Sequence, residues 1–416
     1  MNKEKILLRE LAAKVGEIAS LPTQKEKLNA WKSLNALKPA RPMFMIDQLP
    51  WGELNVGGEL TLVCADSLHR HFERQLRECI YRFTHMPDDR VVDLTVTVPR
   101  AVHSTGYGIS VSEDLIRGSP EADIASHRYK DVIAAEDDIE KIEYPVISED
   151  KAASGRSLDI AEDIFGGILN VRLEGAAVTG HVWDTVSTLR GAGNCIIDIL
   201  DRPEFIHKLA ARFFDIFHKT LDQYEKLGLI DAGQPLIHCT GAYTDELPGF
   251  NGEVEAELEQ YRYSAKNIWT KGAAQLFSMV SPEHHDEFEI AYQIKWYERF
   301  GLGYYGCCEP LDRKIDMIKK LPNVRKISIS PWADIERGSE AMGGGYVLSH
   351  KPNPAFLSSG AAWDEAAVRR ELQNARDTAA KYGNPCELIL KDVSTVGGNP
   401  RRLWDWARIA YEICML

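Results

Sequence analysis

The pair of adjacent cysteines in YYGCCEPL (304–311) is the part of the sequence best suited to chemistry. Cys307 and Cys308 are followed directly by Glu309, so one loop carries two thiols and a carboxylate. Thiolate sulfur and carboxylate oxygen both bind zinc, which makes this loop a candidate partial zinc site. The alternative is that both cysteines are small buried apolar residues. Because successive side chains of a strand point to opposite faces, we expect one sulfur to enter the site and the other to pack.

A histidine in LIHCTG (236–241) is the candidate that would complete such a site. An imidazole at His238 would leave one coordination position open for water or substrate. The alternative is a neutral histidine hydrogen-bonded within the fold, and Cys239 is expected to be core. His350 and Asp392, which close later apolar runs, are substitutes for the same role.

Aromatic and amide side chains stand at the ends of several short apolar segments of the sequence. A wall for a planar ligand or a macrocycle can be built from large aromatic rings. The candidates are Trp51, Trp183, Trp332 and Tyr304. Asn353, held between two prolines in HKPNP, is a candidate for presenting an amide to a ligand. The alternatives are that the aromatic rings only pack at the rim of the fold and that Asn353 lies in a plain turn.

Eight short apolar runs, each followed by polar or Gly/Pro residues, are predicted to be strands. They lie at 43–47, 91–99, 176–184, 235–241, 301–309, 326–332, 346–354 and 387–392. Amphipathic helical patterns, such as 196–227 and 363–382, separate most of them, which indicates parallel βα units. Eight units predict a closed (β/α)8 barrel, with the candidate residues at the carboxyl ends of its strands. The run AAQLFSMV (273–280) is an alternative to one of these strands.

The chain is predicted to be a single domain over 1–416. Residues 1–40 show helical periodicity that ends at Pro39 and Pro42, so they are expected to form a helical cap. Segments 55–150 and 242–272 do not fit a minimal barrel and are expected to be insertions over its mouth.

The composition of the chain excludes several classes of protein function. The 416 residues include 49 Lys+Arg and 62 Asp+Glu, giving a net charge of −13, and 44% are hydrophobic. An acidic, apolar-rich chain of this kind is not a disordered tail and is not expected to bind nucleic acid. No signal peptide or membrane span is predicted, and the eight cysteines show no disulfide spacing, so a reducing cytoplasm is expected.

From about Arg41 to its end, the sequence resembles the uroporphyrinogen decarboxylase superfamily, specifically its branch of corrinoid-dependent methyltransferases. The segments that carry the resemblance are RPMFMIDQLPWGEL, AAQLFSMVSPEHHDEF, YGCCEPLDRKI, RKISISPWAD and LSHKPNP. The RQAGRY segment of the decarboxylase is missing. The branch that methylates coenzyme M carries His-x-Cys on a middle strand and a distal Cys. Here Tyr305-Gly306-Cys307 and Lys391-Asp392 fall at those places, which favours the demethylating methyltransferases of anaerobes.

The resemblance implies a zinc ion and a cobalamin carried by a partner corrinoid protein. The expected reaction moves a methyl group from a methoxylated or related small molecule to cob(I)alamin. The implied metal ligands are His238, Cys307, Cys308 and Glu309, and the implied acid or hydrogen-bonding groups around the leaving oxygen are Asp47, Glu53 and Glu246. Two alternatives stay open. They are a methylcobalamin-to-folate or thiol methyltransferase and a non-catalytic barrel that binds a corrinoid or tetrapyrrole.

Overall fold

The computed structural model describes residues 3–117, 125–230, 235–247, 264–358 and 363–416. Its strands are β1 Met43–Ile46, β2 Thr95–Val98, β3 Val102–Ser104, β4 Glu113–Arg117, β5 Ala125–Tyr129, β6 Ile147–Glu149, β7 Asn170–Leu173, β8 Leu236–Ile237, β9 Thr240–Gly241, β10 Trp269–Gly272, β11 Leu302–Tyr305, β12 Val324–Ile329, β13 Val347–His350 and β14 Cys386–Leu390.

The α-helices surround these strands in the described part of the chain. They are α1 Lys3–Ala19, α2 Pro22–Asn35, α3 Trp51–Leu54, α4 Ser67–His85, α5 Glu136–Glu140, α6 Lys151–Phe165, α7 Val182–Arg190, α8 Ala192–Asp201, α9 Pro203–Leu227, α10 Pro282–His285, α11 Ala291–Tyr297, α12 Ile315–Ile318, α13 Ile335–Met342, α14 Glu365–Tyr382 and α15 Arg401–Met415. A π-helical turn at Asp286–Ile290 joins α10 to α11. Short 3-10 helices lie at Ala265–Asn267, Gln275–Met279, Gly343–Gly345 and Pro354–Leu357.

A six-stranded parallel sheet forms the centre of the molecule. Its strand order is β1-β14-β13-β12-β11-β10, and nearly every residue of these strands is buried. Parallel strands covered on both faces have continuous apolar sequences, which is the pattern that predicted five of the six. The α/β class with a parallel sheet is therefore confirmed.

Three predicted runs and one predicted insertion differ from the eight-strand barrel. Strand β2 pairs with β7 in a separate parallel pair, and β8 and β9 form an antiparallel hairpin. Segment 176–184 contributes only isolated bridges, at Ala176 and at Gly180, which faces Gly272. The sixth sheet strand, β10, lies inside the segment 242–272 that was predicted as an insertion. Within the described residues, the hydrogen-bonded ladders therefore do not close into eight strands. AAQLFSMV forms the 3-10 helix at Gln275–Met279 rather than a strand.

Buried apolar residues cover both faces of the central sheet: the inner face, against which α2 packs, and the outer face, against which α14 and α15 pack. Inside, Trp31 of α2 packs with Met43, Met45, Val347 and Ile389, all of them buried. Outside, α14 and α15 pack on the sheet, and α7, α8 and α9 form a further core. Helix α2 therefore covers the inner face of the sheet, whereas α1 packs against α4 and α6 in a separate core.

Among the described residues, no helix combines the length and apolar composition of a bilayer-spanning segment.

A buried ion pair fastens the β8–β9 hairpin to the inside of the sheet. Lys326 Nζ lies 2.8 Å from Glu387 Oε2 and donates to Thr240 Oγ1 and the Gly241 carbonyl at 3.0 Å each. Thr240 and Ser349 both donate to Glu387, at 2.7 and 2.5 Å. Lys326 and Glu387 are fully buried. This network sets the position of the hairpin turn, where His238 lies.

Candidate active site

The adjacent cysteines leave the end of β11 together, because the strand stops at Tyr305. Gly306 has a φ of 95°, and a Cβ atom there would lie 2.4 Å from Leu311 Cδ1. A left-handed glycine breaks the alternation of side chains at the strand end. Both sulfurs consequently face one ammonium group: Lys391 Nζ lies 2.8 Å from Cys307 Sγ and 3.2 Å from Cys308 Sγ. The expectation that one sulfur enters the site and the other packs is wrong for this reason.

Cys307 is surrounded by groups that stabilise its thiolate. The Cys308 thiol lies 3.6 Å from Cys307 Sγ, and His238 Nε2 is also 3.6 Å away. A hydrogen bond from Cys308 is the largest cause that holds the pKa of Cys307 far below its usual range. His238, Lys271 and Lys391 act in the same direction and outweigh the burial. The hydrogen bond with Cys307, burial and the negative charge of Cys307 raise the pKa of the Cys308 thiol in return. The proton of the pair therefore stays on Cys308.

The same sulfur favours the positively charged forms of Lys391 and His238. Burial would lower the pKa of Lys391, but the charges of Cys307 and Cys308 raise it well above its ordinary value. Burial likewise disfavours charged His238, and hydrogen bonds with Cys239 and Cys307 raise its pKa. Asp392 Oδ2 lies 2.9 Å from Lys391 Nζ and 3.1 Å from Cys308 Sγ. The cluster thus joins a thiolate, two nitrogen donors and a carboxylate.

Backbone strain concentrates at this edge of the sheet. His238, Asp392 and Gln48 have φ values of 53°, 57° and 54°. Non-glycine residues in the left-handed region cost roughly 1–3 kcal/mol each and cluster at functional sites. The Asp392 amide donates to Gln48 Oε1 at 3.1 Å, so two of the strained positions are linked directly.

Glu309 supports the cysteine loop rather than facing the sulfurs. Its carboxylate accepts from the Cys307 amide at 2.9 Å and from the Ala274 amide at 3.4 Å. Burial raises the pKa of this fully buried group. Glu309 therefore connects the loop after β11 to the segment after β10.

The cluster contains sulfur and imidazole donors of the kind that zinc prefers, but only part of their arrangement matches a zinc site. Zinc at tetrahedral bond lengths separates a sulfur from a nitrogen ligand by roughly 3.6 Å, which matches the 3.6 Å between Cys307 Sγ and His238 Nε2. However, Lys391 contacts both sulfurs, and within the described ranges no three His, Cys, Asp or Glu side chains are arranged to hold a metal. Zinc stays a prediction for this chain.

Asp47, Glu53 and Trp51 lie near the same edge, engaged in other contacts. Asp47 follows β1 and accepts from Arg90 at 3.1 Å. Glu53 Oε2 accepts from the amides of Val396 and Gly398 at 3.0 Å each, so it holds the loop after β14. Trp51 is half-buried beneath Arg82, whose guanidinium lies 5.0 Å from the ring centroid.

The structure does not bring the remaining candidates to the cysteines as a group. Trp183 is fully buried in the helical core and donates to the Phe288 carbonyl, whereas Trp332 is 70% exposed. Asn353 caps the helix at Pro354–Leu357 through Ala355. Glu246 accepts from Arg325 at the amino end of β12, which is the opposite edge of the sheet. Tyr304 is buried on β11, inside the site.

Sequence reasoning missed two basic residues that face this site. Lys391 was noted only as standing near the place of a distal cysteine, and it contacts Cys307 across 84 residues of sequence. Lys271 lies on β10, which the apolar pattern did not reveal. A lysine inside an otherwise buried IWTKGAA segment was the available signal, because an unpaired charge is costly to bury.

We expect Gly306→Ala to displace the cysteine loop. An alanine would be strained at this φ by roughly 1–3 kcal/mol and would clash with Leu311. Urea unfolding should show that loss, and the pKa of Cys307 should rise because its sulfur moves from Lys391. Gly155→Ala is the control, since a Cβ there meets open space inside α6. Equal stability of both variants would contradict the assigned role of Gly306.

Comparison with known proteins gives a fold relationship. No family model matches the chain, and no curated protein matches it. Among solved structures, a methyltransferase from Methanosarcina mazei matches with a TM-score of 0.50 at 10% sequence identity. The match covers 94% of this chain and 98% of the other. At this identity the likeness shows a shared fold, extending over nearly the whole of both chains.

Proposed function

We propose that this protein is a methyltransferase that moves a methyl group from a small methylated or methoxylated donor to cob(I)alamin on a partner corrinoid protein. The observation that carries the proposal is the cluster of Cys307, Lys391 and His238 at the carboxyl edge of the sheet. The shared fold with a methyltransferase supports it, and so does the resemblance in sequence.

The proposed role of the cluster is to stabilise charge on the leaving group. As the C–O bond of the donor breaks, its electron pair stays on the oxygen, which is a poor leaving group without a proton or cation nearby. Lys391 Nζ and His238 Nε2 can donate a proton, and the thiolate of Cys307 favours their protonated forms. Fixed donors of this kind act most strongly in a site that excludes water. The oxygen departs as a hydroxyl after taking a proton from one of them.

The acceptor and the metal complete the proposal. Cob(I)alamin, when bound, supplies the nucleophile that takes the methyl carbon. Zinc, when bound, would polarise the leaving heteroatom; Cys307 and His238 would be its ligands, in which case the proton for the leaving oxygen would come from Lys391. The residues of this chain would hold the donor against the cluster, because an in-line transfer requires a fixed alignment of the methyl carbon.

The test is methyl transfer measured with reduced cobalamin and a panel of methoxylated aromatic donors. We expect methylcobalamin to form with the wild type, and Cys307→Ala to lower the rate by at least about a hundredfold, the loss typical of removing transition-state charge stabilisation. Zinc content is measured on the same samples. Cys386→Ala is the matched control, because Cys386 is a buried cysteine on β14 beside Cys414. Full activity of Cys307→Ala would overturn the proposal, as would transfer only from methylcobalamin to a folate or thiol.

A further inference from the structure

Four buried lysines lie in or directly after strands of the central sheet, and three of them have polar partners. Lys326 pairs with Glu387 at 2.8 Å, Lys391 with Cys307 at 2.8 Å, and Lys351 donates to Ser349 Oγ at 2.5 Å. The fourth, Lys271, is fully buried, and within the described residues its Nζ has no hydrogen-bond partner. A buried ammonium without a partner is strongly unfavourable in a structural role.

A second polar atom without a partner lies next to Lys271. The Gly180 amide donates to the Lys271 carbonyl at 2.7 Å, and Gly180 faces Gly272 in a parallel bridge. His181 therefore follows the very residue that pairs with β10. Its Nε2 is buried and makes no hydrogen bond within the described residues. The His181 ring lies 6.2 Å from that of His238, so this pair borders the cysteine cluster.

The negative groups near Lys271 do not offset its burial. Cys307, Cys239 and Glu309 raise the pKa of Lys271, but burial and the charge of Lys391 keep it below the ordinary value. Burial, followed by the charge of Lys271, lowers the pKa of His181 to about 3. Cys307 already contacts Lys391 and His238. An anion that contacted both side chains would favour the charged ammonium and would accept a hydrogen bond from His181 Nε2, so that both nitrogens would have a partner.

We propose that Lys271 and His181 form a carboxylate subsite, so that the methyl donor is an aromatic carboxylate. This inference rests on the proposed function and names the class of its substrate. A carboxylate has two oxygens, one for each of the two nitrogens that lack a partner among the described residues. Tyr304, whose ring centroid lies 5.7 Å from Lys271 Nζ, provides an aromatic surface beside them. A donor anchored in this way would lie beside the cluster of Cys307 and Lys391, where the methyl transfer is proposed to occur.

The test is titration calorimetry with benzoate, benzamide and inorganic phosphate as probes. Benzoate and benzamide share a ring and differ in charge. We expect wild type to bind benzoate at least tenfold more tightly than benzamide or phosphate. Lys271→Met should remove that preference, and His181→Asn should weaken benzoate binding several-fold. Lys314→Met is the matched control, because Lys314 is a buried lysine bonded to the Phe277 carbonyl, away from the pair.

The outcomes separate this inference from the proposed function. Equal binding of benzoate and benzamide by wild type, tighter binding of phosphate, or an unchanged preference in Lys271→Met would each overturn the carboxylate subsite. His181→Asn keeps the test valid if Lys271→Met does not fold, since undiminished benzoate binding by His181→Asn also contradicts the site. Benzoate binding through Lys271 without any methyl transfer would support the subsite and refute only the proposed reaction.

Discussion

In the double variant Cys308→Ala/Lys391→Met, the pKa of Cys307 is expected to rise toward that of a free cysteine, about 8.5. The variant removes the hydrogen bond that lowers this pKa most and the ammonium group bonded to the sulfur, while His238 and Lys271 stay. A lowered pKa means that the thiolate is present above it and is lost only as pH falls. Wild type should therefore keep the thiolate at neutral and mildly acidic pH, whereas the variant should lose it at a higher pH than wild type.

The measurement is the ultraviolet absorbance of the thiolate as a function of pH in metal-free protein, with Cys307→Ser as the blank. The blank removes the contribution of Cys239, whose pKa is also lowered because Lys351, His238 and Lys271 together outweigh its burial. Burial raises the pKa of Cys64, Cys195 and Cys414 to about 12, so these thiols are silent near neutrality. An identical titration of wild type and the double variant would refute the assigned electrostatics.

Glu387→Ala is expected to cost roughly 3–5 kcal/mol of stability, because removing one partner of a buried pair leaves the other charge uncompensated. Lys326 would keep its hydrogen bonds to Thr240 and the Gly241 carbonyl, but no described carboxylate would pair with its charge. The β8–β9 hairpin would lose its bond from Thr240 to the carboxylate, so His238 should move away from Cys307. Urea unfolding measures the stability, and the thiolate titration reports the displacement.

Two comparisons make that prediction specific. Glu136→Ala breaks an exposed pair with Lys208, which solvent screens, and should change stability little. The double variant Lys326→Leu/Glu387→Leu removes both charges and should be more stable than Glu387→Ala alone. If Glu387→Ala unfolds at the same urea concentration as Glu136→Ala, the Lys326–Glu387 pair does not hold the β8–β9 hairpin in place.

Several parts of the molecule were readable from local sequence. Buried parallel strands are continuous apolar runs, so β1, β11, β12, β13 and β14 were predicted near their observed bounds. Strand β10 was missed because WTKG combines a lysine and a glycine in four residues. The groups that surround Lys271 come from distant parts of the chain. The local sequence therefore gives no sign that a lysine is buried there. The hairpin at 236–241 was taken for a strand because no glycine or asparagine marks its turn. Its turn residue, His238, has a left-handed backbone conformation that such residues usually signal.

The sequence by itself determined the parallel α/β class and the loop that carries Cys307, Cys308 and Glu309, because strand patterning and residue type are local properties. Only the tertiary structure decided which side chains meet there. It brought Lys391 and His238 to the sulfurs, buried Trp183 in a core and placed Glu246 at the opposite edge. Among the described residues, it also left Lys271 Nζ without a hydrogen-bond partner. Such contacts depend on how distant strands align, and the charge state of each group depends on neighbours that are far away in the chain.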